Sequence, residues 1–285
     1  MEQYIEKTIL SVINQNYQHL EYIIIDGGST DNTLSIINKY KDKISVIISE
    51  PDKGMYYALE KGLNIASGDI MGWLNADDQY FPWTLSLVSE MFSKDPSIMW
   101  LSGMSAFSDD KGRLTKVFNH PGSRPSRYIK NGWFREGLFG YLQQENMFWK
   151  KSLYEQAGGI NVKYKYAADF ELWTRFAHYT EMVVLSVPLA MFMRRNDSVS
   201  KSIDGKSRYK EEVMMICNGK NRYPKIFEFL LKNTITRKMM NSLIWAKTPL
   251  IFYSSIKEEF VRKNVWRTIS SNTLSDLRYE FLFSI

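Results

Sequence analysis

Three hydrophobic runs in the first third of the chain each close on carboxylates, with helical patterns between them. Tyr22-Ile23-Ile24-Ile25 is a continuous β-branched run suited to a fully buried strand, and it ends at Asp26-Gly27-Gly28. Ile44 to Ile48 is a second strand, closed by Glu50-Pro51-Asp52-Lys53-Gly54, and Asp69 to Leu74 a third, closed by Asn75-Ala76-Asp77-Asp78. Before and between them lie helical patterns: Ile5, Ile9, Val12 and Ile13; a segment capped by Ser29 or Thr30 and running through Tyr40; and Met55 to Ala66. Strands that alternate with helices imply parallel crossovers with helices on both sheet faces. The expected fold class is α/β, a doubly wound, mostly parallel sheet. In such sheets ligands bind in the crevice beyond the carboxyl ends of the strands, where all three acidic turns would meet.

Taken alone, Asn75-Ala76-Asp77-Asp78 is equally open to a plain strand-to-loop turn, since Asn and Asp are ordinary turn formers. Two carboxylates and an amide there would also hold a divalent cation against a diphosphate. Beyond Pro82 the pattern continues as a helix to Phe92, a strand near Ile98 to Phe107, a Gly/Pro/Arg-rich loop or lid from His120 to Gly140, and a strand at Asn146 to Trp149. A helix from Ser152, an acidic helix over Ala168 to Tyr179 and a strand over Val183 to Phe192 follow. A soft boundary near Ser202 separates residues 1–201 from a basic, aromatic region, 202–285, expected to be a helical appendage.

Charge locates that change of character. The chain of 285 residues carries a net +6, yet Lys220 to Arg267 alone holds eleven basic residues against three acids. A solvated helical appendage accounts for this, and the interleaved aromatics also suit peripheral contact with an anionic membrane. No recognition motif accompanies the charge, so nucleic acid is not an expected partner. The single cysteine, Cys217, leaves no internal disulfide and suits a cytoplasmic setting, peripheral at the inner membrane face if the basic region binds lipid.

In order and spacing, several segments resemble the family 2 glycosyltransferases, which have the GT-A fold. They are Tyr22 to Asp31, Glu50 to Tyr56, Gly68 to Asp78, and Gly158-Gly159 leading to Ala168-Asp169-Phe170-Glu171-Leu172-Trp173. The resemblance covers roughly residues 1 to 200. It implies a nucleotide-sugar donor, with UDP favoured, and a glycan or lipid-linked hydroxyl acceptor. Asp26 would hold the nucleotide base, and Asp52, Lys53, Asn75 and Ala76 would flank the donor. Asp77, helped by Asp78, would bind Mg²⁺ or Mn²⁺ on the diphosphate, which neutralises the leaving group. Asp169 falls where inverting members place the general base. Its alternative reading is a helix-N-terminal acid chosen for the macrodipole. Glu171 and Trp173 read as structural.

The sequence also departs from the family pattern. Asn75 replaces an acid, and Tyr57 and Glu60 stand where relatives carry Asp and Asn. Arg195, before Ser198-Val199-Ser200, stands where members carry a His; it cannot bind a metal but suits a phosphate oxygen. The family's opening hydrophobic strand has no counterpart, so backbone groups of both neighbouring strands are expected to lack partners, at about 1–3 kcal/mol each. The resulting expectation is an internal Met1 or a fragment, poorly stable and inactive until the upstream strand is restored. Besides an inverting glycosyltransferase, the sequence admits a degenerate nucleotide- or glycan-binding module and a sugar nucleotidylyltransferase. The last wants a Gly-rich basic first loop that this sequence does not show.

Overall fold

The computed structural model describes residues 1–118, 123–135, 139–195, 202–217, 236, 245–255 and 257–268. Helix α1 spans Ile5–Ile13 and buries Ile5, Thr8, Ile9 and Val12, the face that its spacing predicts. Strand β1 (Ile23–Asp26) is followed by α2 (Thr33–Asn38), a 3₁₀ turn at Lys41–Lys43, and β2 (Val46–Ser49). Helix α3 (Met55–Ile65) starts after Gly54, whose φ of +133° is a conformation L side chains rarely adopt. Short strands β3 (Ile70–Met71) and β4 (Gln79–Tyr80) then bracket the acidic turn.

Next come α4 (Thr84–Lys94), β5 (Trp100–Ser108), β6 (Leu114–Val117), α5 (Ser126–Ile129), β7 (Met147–Lys150), α6 (Lys151–Gln156), α7 (Ala168–Tyr179) and β8 (Val183–Met193). After α8 (Ile203–Cys217), strands β9 (Trp245–Ser254) and β10 (Glu259–Thr268) complete the described chain. Strands β1 and β2 pair in parallel as a two-stranded sheet. The larger sheet runs β10-β9-β8-β5-β7-β3, with β4 on β8 and β6 on β5. In it β5–β8 and β8–β9 are parallel, and β5–β7, β3–β7, β4–β8, β5–β6 and β9–β10 antiparallel. Among the described residues, β1 pairs with β2 and β3 with β7, and the other edge of each has no strand partner.

The helical expectation for the basic region is corrected in part. Residues 203–217 are helical, but 245–268 form an antiparallel hairpin whose β9 lies parallel to β8, so it continues the main sheet. The reason is register: Leu250 and Ile251 of β9 pair with Val184 and Leu185 and are buried with them, which rewards extended backbone. Most of the segment between α8 and β9, which carries much of the basic excess, lies outside the described residues. Among those described, no helix is long and apolar enough to cross a membrane. The core beneath the site is built on aromatics: Trp73 stacks on Trp173 with centroids 5.4 Å apart, and Trp100 on the same ring at 5.5 Å. Trp173 is therefore core, as expected. The loop before β7 contributes too, burying Ile129 and Phe134, while 119–122 and 136–138 lie outside the described residues.

Candidate active site

At the end of β1, Asp26 is buried and its carboxylate is surrounded by donors. Ser49 Oγ donates to Oδ2 at 2.7 Å, Ser29 N at 3.0 Å and Gly28 N at 3.2 Å, while Ser29 Oγ donates to Oδ1 at 2.5 Å. Burial alone would raise this carboxyl, but the four hydrogen bonds outweigh it and hold the group below the ordinary carboxylate range. Close by, Gly27 makes room for the second acidic turn: a Cβ there would stand 2.7 Å from Asp52 Oδ2. Asp52 accepts from Gly54 N at 2.7 Å, which fixes the start of α3 and leaves Lys53 exposed near the Tyr57 ring.

The third turn is tied to α1 and β8. Thr8 Oγ1 lies 3.0 Å from the Ala76 carbonyl and 2.8 Å from that of Asp78. Asp78 is fully buried; its Oδ1 accepts from Met193 N at 2.9 Å and its Oδ2 from Asn75 Nδ2 at 3.2 Å. Burial, then the charge of Asp77, push the Asp78 carboxyl up to about 8. Beneath it lies Glu145, equally buried and also held well above its usual range, by burial and then by Asp78. Asp77 instead meets Arg195, which donates from Nε to Oδ2 at 2.8 Å, with the two side chains 17% and 16% exposed.

Asp169 sits in the first turn of α7 and accepts from Tyr56 Oη at 2.9 Å. Burial raises its carboxyl above the ordinary range, only partly offset by hydrogen bonds from Phe170 N and Tyr56. The loop entering α7 is held from far along the chain. Glu212 on α8 accepts from Lys165 N, Tyr166 N and Ala167 N at 2.8, 2.8 and 2.9 Å. Helix α8, beyond the boundary expected near Ser202, thus helps to place Asp169. Glu171 binds Arg175 instead, at 2.9 and 2.7 Å, in the structural role expected of it.

One cavity of about 2150 Å³ gathers these groups. Asp26, Asp52, Lys53, Asn75, Ala76, Asp77, Asp169 and Arg195 all line it; Asp78 does not. Sequence reasoning missed Tyr56, and it missed Arg194, Lys206 and Tyr209, which line the same cavity. No local pattern marks them, because each acquires its place only through packing.

The expected divalent metal fits this arrangement poorly. Among the described residues no group of three or more His, Cys, Asp or Glu side chains is placed to hold one. Asp78 is turned toward the Met193 amide, and Asn75 donates to Asp78. Of the two carboxylates on this turn, only Asp77 lines the cavity, and it already holds a guanidinium.

Comparison with known proteins is consistent across sequence and structure. The family model for glycosyl transferase family 2 matches residues 2–156. An uncharacterized glycosyltransferase of Haemophilus influenzae is 28% identical over 196 residues, 64% of this chain and 61% of that protein, so the chain spans under two thirds of that relative's length. A putative teichuronic acid biosynthesis glycosyltransferase of Bacillus subtilis, TuaG, is 32% identical over 123 residues, 42% of this chain and 49% of its own. Among solved structures, S. aureus TarS 1-349 in complex with UDP-GlcNAc superposes with a TM-score of 0.59 at 18% identity, covering 84% of this chain and 68% of that one. The mannosyltransferase PcManGT from Pyrobaculum calidifontis, in complex with GDP-Man and Mn²⁺, gives 0.55 at 18%, over 80% and 64%. The structures speak for the fold alone, while the family model spans more than half the chain: the protein belongs to glycosyl transferase family 2.

Proposed function

We propose that the chain transfers a sugar, with inversion, from a nucleotide-sugar donor to a hydroxyl of a growing cell-surface polysaccharide or lipid-linked glycan. The observation that carries this is the convergence of Asp26, the Asp77–Arg195 pair and Asp169 on one cavity. Asp26, kept ionised by its four donors, suits a nucleobase imide or ribose hydroxyl at the β1 end. Arg195 suits the diphosphate. Asp169 accepts the proton of the acceptor hydroxyl as its oxygen attacks the anomeric carbon; the bond from that carbon to the diphosphate oxygen breaks, and the nucleoside diphosphate leaves. A raised carboxyl is matched to this task, because its conjugate base is stronger. Nucleotide sugars bound by the neighbours support UDP- or GDP-linked donors, and the teichuronic acid relative supports a polysaccharide product.

A screen of nucleotide sugars for nucleoside-diphosphate release tests the reading. Release from at least one donor, abolished in Asp169→Ala, is the expected result. Nucleotide binding without release from any donor would favour the degenerate binding module, to which the engaged state of Asp77 lends weight. Pyrophosphate release from a nucleoside triphosphate would instead point to a nucleotidylyltransferase.

A further inference from the structure

The carboxylate that family resemblance gives to a metal is occupied by an arginine of the chain itself. Asp77 and Arg195 meet at 2.8 Å in the cavity wall, both largely sheltered, unlike a loose surface pair. The guanidinium also lies 5.2 Å from the Tyr4 ring, so a carboxylate and an aromatic face both restrict it. Arg194 is fixed beside it, its guanidinium 3.6 Å from the centroid of Phe107. Lys53 and Lys206 face the same cavity from other elements. A nucleoside diphosphate brings several negative charges into this space, and the acidic turn with Asp26, Asp52 and Asp169 adds more. Some cation must balance them.

We propose that Arg195, anchored by Asp77, supplies the positive charge against the donor diphosphate in place of a divalent ion on the acidic turn. This rests on the nucleotide-sugar reading above. A guanidinium is charged at every working pH and its planar fork matches phosphate oxygens, so an arginine already oriented by a carboxylate is preorganised for a diphosphate. Asp77 then acts as a positioning residue rather than a ligand, and Asn75 loses little by not being an acid. As the bond from the anomeric carbon to the diphosphate breaks, the charge growing on the leaving oxygen faces this guanidinium.

Calorimetric titration of the whole chain with UDP, GDP and dTDP, in excess EDTA and again in excess Mn²⁺, tests the proposal. The nucleotide that binds is expected to keep its Kd within about 3-fold between the two conditions, as charge from the protein requires. Arg195→Ala is expected to weaken it about 10–100-fold, the value of a hydrogen bond to a charged group. Asp77→Asn should weaken it less, and Asp77→Asn combined with Arg195→Ala no more than Arg195→Ala alone, because the anchor then has nothing to hold. Binding lost in EDTA and restored by Mn²⁺, or an unchanged Kd in Arg195→Ala, overturns the arginine's role and leaves the nucleotide-sugar reading standing. Absence of binding under both conditions overturns both. The EDTA comparison uses the unmodified chain, so a variant that fails to fold does not decide the matter.

Discussion

Asp26 and Asp78 both close apolar runs and both are buried, yet their protons are held in opposite ways. Asp26 receives four hydrogen bonds from two hydroxyls and two amides, and is held ionised. Asp78 accepts from the Met193 amide and from Asn75, lies beside Asp77 and near Glu145, and is pushed up to about 8. At Asp78 the deeper burial is the larger cause and the charge of Asp77 adds to it, whereas at Asp26 the four hydrogen bonds outweigh a smaller burial penalty. Asp169, which lines the cavity with Asp26, is raised by burial as Asp78 is. Under the proposed function, Asp26 marks a binding end of the cavity and Asp169 a proton-transfer end.

The sharpest way to break this division is to exchange the effects of the two ends. Asp169→Ala should lower kcat by about 10²–10⁴ while the donor's KM changes little; a mere rise in KM would move Asp169 to the binding end. At the other end Asp26→Asn should raise donor KM about 10–100-fold, from a lost charged acceptor at roughly 1.5–3 kcal/mol, with kcat at saturation nearly kept. Steady-state kinetics on the two variants separate the outcomes.

A smaller effect sharpens the comparison through stability. The folded pKa of Asp78 lies above its unfolded value of 3.8, so its contribution is fully present below that value and is lost as pH rises toward about 8. Asp26, depressed, works the other way: its contribution is present above the unfolded pKa and is lost as pH falls through the folded one. Thermal unfolding should therefore show Tm falling between pH 5 and pH 8. Asp78→Asn should flatten that fall. An identical slope in Asp78→Asn would place the titrating group elsewhere, with Glu145 next to test.

The Asp26 end was the more legible in sequence. Its strand is a run of three isoleucines, its turn is Gly27-Gly28-Ser29, and two of its four hydrogen bonds come from Ser29, three residues along. Local chemistry of that kind can be read from neighbours. The acidic turn was legible as a cluster, but which carboxylate faces the cavity depends on the Met193 amide and on Arg195, more than a hundred residues away. Asp169 was readable only through resemblance, and its support from Tyr56 and Glu212 not at all. In the basic region the expected helix holds over Ile203–Cys217 but not over 245–268, where the chain is a hairpin. Lys and Arg say little about backbone, and the register of β9 against β8 decided it.

The finest test concerns the hydroxyl that Tyr56 gives to Asp169. The hydrogen bond of 2.9 Å favours the ionised carboxylate, so it works against the burial that raises this group. Tyr56 is itself buried and pushed well above the usual phenol range, by burial and then by Asp169, so it stays a donor throughout the working range. Removing the hydroxyl in Tyr56→Phe keeps the ring and its packing but leaves Asp169 harder to ionise. Because the base works only when deprotonated, the acid limb of kcat/KM should move to higher pH. Rates well above that limb should stay within about 3-fold of the unmodified protein, since the stronger base offsets the lost contact. A limb that stays in place while the plateau falls would make Tyr56 a contact of the acceptor sugar rather than a tuner of the base.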